Sequence, residues 1–273
     1  MKGDIRNLQI LFFSGFLYYG IQVLHWDIQW NSVFMLLFIA LLTQSAFCLA
    51  LKIPVNALKS SLITALGIAM ILRSEHLFVF GLVGFFSISS KYIFNYQRKH
   101  FFNPANFGVI LSILLTGQST ISTSQWMYST ICIFVLGSIL ILFLSKIQKI
   151  ETTLVFVISY LSVSYIWNVL YKGWPMEFFI HDITDGSLLL FAFFIILDPS
   201  STPNNRWARI LWVMIIAFFS FYLTYFKQIS GASFYALFAL SPLVPVLNQV
   251  FKGTSFYWDS SFRRKLNTNA VVH

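Results

Sequence analysis

Apolar runs long enough to cross a lipid bilayer follow one another from one end of this sequence to the other. Val33–Leu51 holds nineteen residues without a charge, close to the about 20 that a helix needs to span the hydrocarbon core. Runs near Leu8–Leu24, Val33–Leu51, Leu58–Leu72, Leu77–Ile93, Phe107–Thr116, Trp126–Leu144, Thr152–Tyr171, Ser187–Leu197, Trp207–Phe226 and Ala232–Phe251 predict about ten helices. The third, fifth and eighth are short. Backbone N–H and C=O groups inside a bilayer must be satisfied within their own segment, so the expected fold class is all-α integral membrane. Charged residues make up only 10% of the chain, against about 25% in soluble domains. That leaves too little polar surface to cover a water-soluble globule, and no room for a sizeable soluble domain.

The net charge of +9 would suggest nucleic acid in a soluble protein. Here the basic residues sit in short loops between apolar runs, and the positive-inside rule reads them as topology signals. With the N-terminus inside, Lys2, Arg6, Lys52, Lys59, Lys91, Arg98, Lys99, Lys146, Lys149, Arg206, Arg209, Lys252, Arg263, Arg264 and Lys265 all face the cytoplasm. Only Arg73, Lys172 and Lys227 fall outside. Adding or removing one helix would scramble this bias. It therefore supports ten crossings and cytoplasmic termini; the membrane is expected to be a bacterial-type inner membrane. The first run lacks a small-residue cleavage site and reads as an uncleaved helix. Trp26, Trp30, Trp126, Trp174, Trp207 and Trp258 fall at interfaces, as amphipathic rings do.

Several chemistries have no signature here. Cys48 and Cys132 lie in apolar runs without a CxxC or CxxH neighbour, so no disulfide and no metal site is expected. No HExxH, Ser–His–Asp spacing or P-loop occurs.

Two stretches share a pattern. Ser60–Arg73 is followed by a full helix, a polar turn with Lys91, and Phe102–Leu111; Gly186–Pro199 is followed by a full helix, a turn with Lys227, and Ser230–Leu240. Each is the last three helices of a five-helix half. An odd number of helices per half inverts one half against the other, as in transporter-like folds whose sites lie at the repeat interface. The expected organisation is one membrane domain, with a first repeat over 1–120, a second over 121–253 and a cytoplasmic tail over 254–273.

Within that frame, Phe102-Asn-Pro-Ala-Asn106 is the most informative motif. Asn103 suits the N-cap and Pro104 the first helical position, while Asn106 follows one turn in. A helix N-terminus favours anions such as phosphate, and Lys91, Arg98, Lys99 and His100 add positive charge beside it. Leu197-Asp-Pro-Ser-Ser-Thr-Pro203 ends an apolar helix with an acid. An acid near the membrane needs a partner, and Arg206 or Arg209 could supply it. His181-Asp-Ile-Thr-Asp-Gly-Ser187, with Glu177, makes an acidic outer loop that reads first as solvated.

At these motifs the chain resembles the RnfD/NqrB family, the membrane subunits of the Rnf electron-transport complex and of the sodium-pumping NADH:quinone oxidoreductase. The residues that carry the resemblance are Lys91, Phe102-Asn103-Pro104-Ala105-Asn106, Gly186-Ser-Leu, Ala192-Phe-Phe, Leu197-Asp198-Pro199, Thr202-Pro203, Arg206, Ser230-Gly-Ala-Ser-Phe-Tyr-Ala-Leu and Asn248. The resemblance implies two inverted five-helix repeats, flavin binding (FMN or riboflavin), and electron transfer coupled in the large complexes to ion movement. It points to Lys91, Asn103, Pro104, Asn106, Asp198 and Thr202 as cofactor-binding. The family's covalent FMN hangs on a threonine in an S/T-G-A-T motif between the halves, and Gly117–Gln125 has no such motif. Ser230-Gly-Ala-Ser233 looks similar but lies elsewhere and lacks the trailing threonine, which leaves Ser233 a weak candidate and a noncovalent flavin the expectation. Substituting Asn103→Leu is then expected to weaken flavin binding more than folding.

Three functions fit. The first is an electron-transport membrane subunit, an oxidoreductase component if redox-active, with other membrane or redox subunits as partners. The others are a solute transporter or channel on the same scaffold, and a nonredox accessory membrane subunit of a biosynthetic enzyme. Fold alone does not choose among them.

Overall fold

The computed structural model describes residues 5–96, 99–121, 134–135, 137–139, 150–183 and 186–253. The predicted sixth helix (apart from helical residues at 134–135 and 137–139), Cys132, Asp185 and the 254–273 tail lie outside these residues.

Nearly everything described is helical. The helices are α1 (Ile5–Gln22), α2 (Trp30–Leu51), α3 (Leu58–Ile71), α4 (Leu77–Ile93), α5 (Pro104–Thr116), α6 (Ile150–Tyr165), α7 (Met176–Ile183), α8 (Gly186–Leu190), α9 (Arg206–Lys227), α10 (Ala232–Leu240) and α11 (Leu243–Val250). Wider π turns extend α6 through Ile166–Tyr171 and α8 through Phe191–Ile195. Two small antiparallel pairs complete the fold: β1 (Leu72–Arg73) with β4 (Thr120–Ile121), and β2 (Asn95–Tyr96) with β3 (Lys99–His100).

Three described helices are long and apolar enough to cross a membrane: Trp30–Leu51, Glu151–Tyr171 and Arg206–Lys227. A fourth forms if α10 and α11, bent by 51° at their junction, count as one span. The sequence predicts that last span as one helix, Ala232–Phe251. Pro242 breaks it, because its ring removes a backbone donor and clashes with the preceding turn. The helix α7 is likewise unanticipated, since its stretch reads as solvated loop. The short runs are short in the structure too: α3 has 14 residues and α5 has 13, about 20 Å of helix at 1.5 Å per residue. That is less than the about 30 Å of hydrocarbon.

The outer surface matches a lipid solvent. Leu11, Phe38, Leu42, Leu115, Leu154 and Ile158 are all exposed, a pattern that water would penalise. The core lies along α3, α8, α9 and α10, where Ile68, Met70, Ile71, Phe191, Ile195, Val213, Ile216 and Phe234 are sealed from solvent. In the first half α2 packs on α4 and α4 on α5; in the second α6 packs on α9 and α9 on α10. Close approach rests on glycine. A Cβ on Gly108 of α5 would stand 1.9 Å from Ser87 Oγ and 2.8 Å from the Val83 carbonyl of α4. On Gly67 of α3 it would meet the Phe194 ring at 2.1 Å.

Candidate functional site

Where α1 and α3 begin and α4 ends, here called the near end, the helices surround a cavity of about 290 Å³. Its wall collects segments distant in sequence: Arg6, Gln9 and Phe13 of α1, Ser60, Ile63 and Thr64 of α3, Lys91 of α4, the start of α5, and the Phe193–Ser200 stretch after α8.

The start of α5 follows from its residues. Asn103 takes an extended N-cap conformation, its Oδ1 accepts from the Asn106 N–H at 3.0 Å, and Pro104 occupies the first turn. Asn103 Nδ2 donates to the Ile195 carbonyl at 3.0 Å. This bond fixes the beginning of α5 against the end of the α8 π turn. Both polar ends of the Asn103 amide are thus committed to the fold. Asn103→Leu is therefore expected to cost stability as well.

Lys91 sits at the last turn of α4 and reaches the Ser60 hydroxyl at 3.3 Å and that of Thr64 at 3.4 Å. Those hydroxyls are spent differently: Thr64 donates to the Ser60 carbonyl at 2.9 Å, so its oxygen is oriented to accept. Among the described residues, no carboxylate lies within ion-pair distance of the Lys91 ammonium. It stands at the cavity wall.

Asp198 does not pair with Arg206 or Arg209, the partners the sequence suggests. It faces His100 Nε2 at 3.2 Å and accepts the Ser200 N–H at 3.0 Å. Burial alone would push its carboxyl up, but the His100 bond, His100's charge, and the Ser200 and Ser201 donors prevail and hold it down at about 2. The arginines have another partner, Glu151, which the sequence reading did not single out. Arg206 Nε meets it at 2.9 Å, and the buried Arg209 bonds the same carboxylate while also donating to the Pro203 carbonyl at 3.1 Å. A lone acid at the start of an apolar run, opposite two arginines on another run, is the signal that could have found it.

The predicted residues separate. Lys91, Asn103, Pro104 and Asp198 line the cavity. Thr202 is buried behind the wall, where its carbonyl accepts from Lys99, and Lys99 also bonds Asn204 Oδ1 at 2.8 Å. Burial, with Arg209 adding and Asp198 opposing, lowers Lys99 to about 8. Asn106 lies deeper; its Nδ2 donates to the Phe234 carbonyl of α10 at 3.1 Å, and its Oδ1 has no partner among the described residues. Ser233, buried in the first turn of α10, does not line the cavity. Asn248 holds the Asn204 N–H at 2.8 Å, tying α11 to the loop before α9.

The family model described as NQR2, RnfD, RnfE matches residues 111–256. The chain belongs to the NQR2, RnfD, RnfE family. The match runs from within α5 past the end of α11, so it takes in the Asp198 loop, Thr202, Arg206 and the α10 start. Among curated proteins, none matches this chain. Family membership and the apolar helices make it a membrane subunit of the Rnf/Nqr type.

Proposed function

We propose that this subunit holds a flavin noncovalently in the near-end cavity and passes electrons within an Rnf/Nqr-type system, which would couple their flow to ion movement. The observation that supports this best is Lys91, which lines a cavity also walled by Phe13, Phe193 and Phe194. An aromatic wall suits an isoalloxazine ring, and a Lys91 ammonium bonded to two hydroxyls suits a phosphate or the electron-rich edge of the ring. Phe13 and Phe194 hold each other edge-on at 4.9 Å, which fixes one face of that wall.

The residues present fit such a group. Lys91 and Arg6 would balance negative charge, Ser60 and Thr64 orient Lys91, and the His100–Asp198 pair could hold a proton at His100 Nε2. A flavin supplies one- and two-electron redox chemistry when bound. The Asn103–Ile195 bond keeps the cavity's floor in place, and the apolar side chains limit water.

We also read the whole subunit as ten helices in two inverted five-helix repeats, with both termini in the cytoplasm of a bacterial-type cell. The matching packing orders of the two halves support this reading. So does the Asn106–Phe234 bond, one turn into both α5 and α10. Two short helices thus start at the same depth, as discontinuous helices do around midplane sites.

The test is the absorbance spectrum of detergent-purified protein before and after acid precipitation. Flavin bands that leave with the supernatant are expected. Bands retained by the pellet would direct attention to Ser233, and a colourless protein would sink the flavin reading. Lys91→Met should lower flavin occupancy while the protein keeps its gel-filtration profile.

A further inference from the structure

A second cavity opens at the far end, where α1, α3 and α5 finish and α2 and α4 begin. It measures about 710 Å³, and ten of its thirteen lining residues are polar. Its walls are built and braced. Strand β1 after α3 pairs with β4 after α5, placing Arg73 opposite Thr120. The Ser74 hydroxyl donates to the Gln118 carbonyl at 2.7 Å and accepts the His76 N–H at 3.2 Å. The two loops are therefore stitched together around the opening. The floor is closed by Leu72, Phe80 and Ser32, all buried.

Two groups within it lack a complete set of partners. Arg73 donates to the Leu72 carbonyl at 2.9 Å, that of Met70 at 3.3 Å and that of Ala69 at 3.4 Å, at the end of α3. Three of five N–H donors are thus used, which aims the guanidinium and leaves two for another acceptor. Burial lowers Arg73 to about 10 against the pull of Asp27, so it stays charged at neutral pH. Ser119 is 4% exposed, lines the cavity, and its hydroxyl has no partner among the described residues. A buried hydroxyl without a partner is costly unless something supplies one. At the rim stand the exposed carboxylates of Asp27 and Glu75, beside His76.

This is a radial order of charge: a cation and a hydroxyl donor inside, carboxylates outside. We propose that the far-end cavity binds a small zwitterionic solute of the α-amino acid type. Its carboxylate would accept from Arg73 and Ser119, and its ammonium would face Asp27 and Glu75. The site is independent of the flavin reading, since it shares no residue with the near-end cavity.

Saturation-transfer NMR on the protein in nanodiscs tests this with L-alanine and its two halves, propionate and ethylammonium. L-Alanine should bind at least about tenfold more tightly than either half, about 1.4 kcal/mol. Asp27→Asn should remove most of that advantage over propionate. Ser119→Ala, which deletes one oxygen and should fold normally, should weaken L-alanine binding. Arg73→Gln should abolish it, but that variant also loses the α3 carbonyl contacts, so Ser119→Ala and Asp27→Asn decide. Equal binding of L-alanine and propionate, no response to Asp27→Asn, or no binding of any probe would overturn the proposal.

Discussion

Single side chains decide how the near end is held. Arg209 is 5% exposed and shares Glu151 with Arg206. Glu151→Leu would strand that buried guanidinium, and loss of one partner of a buried pair costs about 3–5 kcal/mol. A drop in melting temperature much larger than that of Arg206→Leu, whose side chain is mostly exposed, should result; equal drops would show that Arg209 does not depend on Glu151. Asn103→Ala should cost about 1–2 kcal/mol, because it removes the α5 cap and the Asn103 Nδ2 bond to the Ile195 carbonyl. Thermal unfolding in detergent reads both. Lys99 gives a pH signature. Its proton is held to about 8 in the folded chain and to the ordinary 10.5 in the unfolded one, so between these values the unfolded chain binds more protons. The Lys99 contribution to stability therefore rises with pH across that window. Lys99→Met should flatten the melting temperature there; an unchanged slope would contradict the burial of this ammonium.

Helices meet where side chains have been removed. Gly108→Ala would drive a methyl into the Val83 carbonyl and Ser87 of α4. Backbone cannot yield as a flexible side chain does, so α5 must shift, at about 1–3 kcal/mol for an overpacked contact. Gly67→Ala meets the Phe194 ring instead. It should move the ring at the cavity wall, so its effect is expected in flavin occupancy as well as in stability. Gly108→Ala lowering stability no more than a surface change such as Leu115→Ala would show that α4 and α5 are not in close contact. This scale also shows what the sequence reveals. Leu77–Ile93 appears as α4 residue for residue, with the polar Ser74-Glu75-His76 just before it. The apolar run predicts a start for α5 at Phe107, three residues after the actual one at Pro104, although Asn103 and Pro104 carry the cap chemistry. The break at Pro242 does not show in hydropathy, which ignores the backbone donor that proline lacks. In the site, Lys91, Asn103, Pro104 and Asp198 were legible from motif and charge. The His100–Asp198 and Glu151–Arg209 pairings were not, because they join segments about 98 and 58 residues apart and nothing local specifies them.

The whole molecule has two ends of unlike character, and helix length explains both. Because α3 and α5 span only about 20 Å, neither fills the hydrocarbon thickness, and polar cavities sit at the two extremes of the same short helices. The near-end cavity is walled by phenylalanines and carries Lys91 and Arg6; the far-end cavity is polar, with Arg73 inside and Asp27 and Glu75 at its rim. If the bias of basic residues sets orientation, the near end faces the cytoplasm and the far end faces outward. Single-cysteine labelling examines this directly, starting from a Cys48→Ser, Cys132→Ser background. Glu75→Cys, an exposed far-end position, should react with a membrane-impermeant maleimide in intact cells. Lys59→Cys, outside the cavity at the start of α3, and Lys252→Cys, just past α11, should react only after permeabilisation. Because α3 joins positions 59 and 75, opposite labelling of these two reports a crossing by α3 itself, although that helix is too short to fill the bilayer. Labelling of both from the same side would mean that α3 turns back within the membrane. That result would remove one crossing from the first half, and the inverted relation between the halves with it.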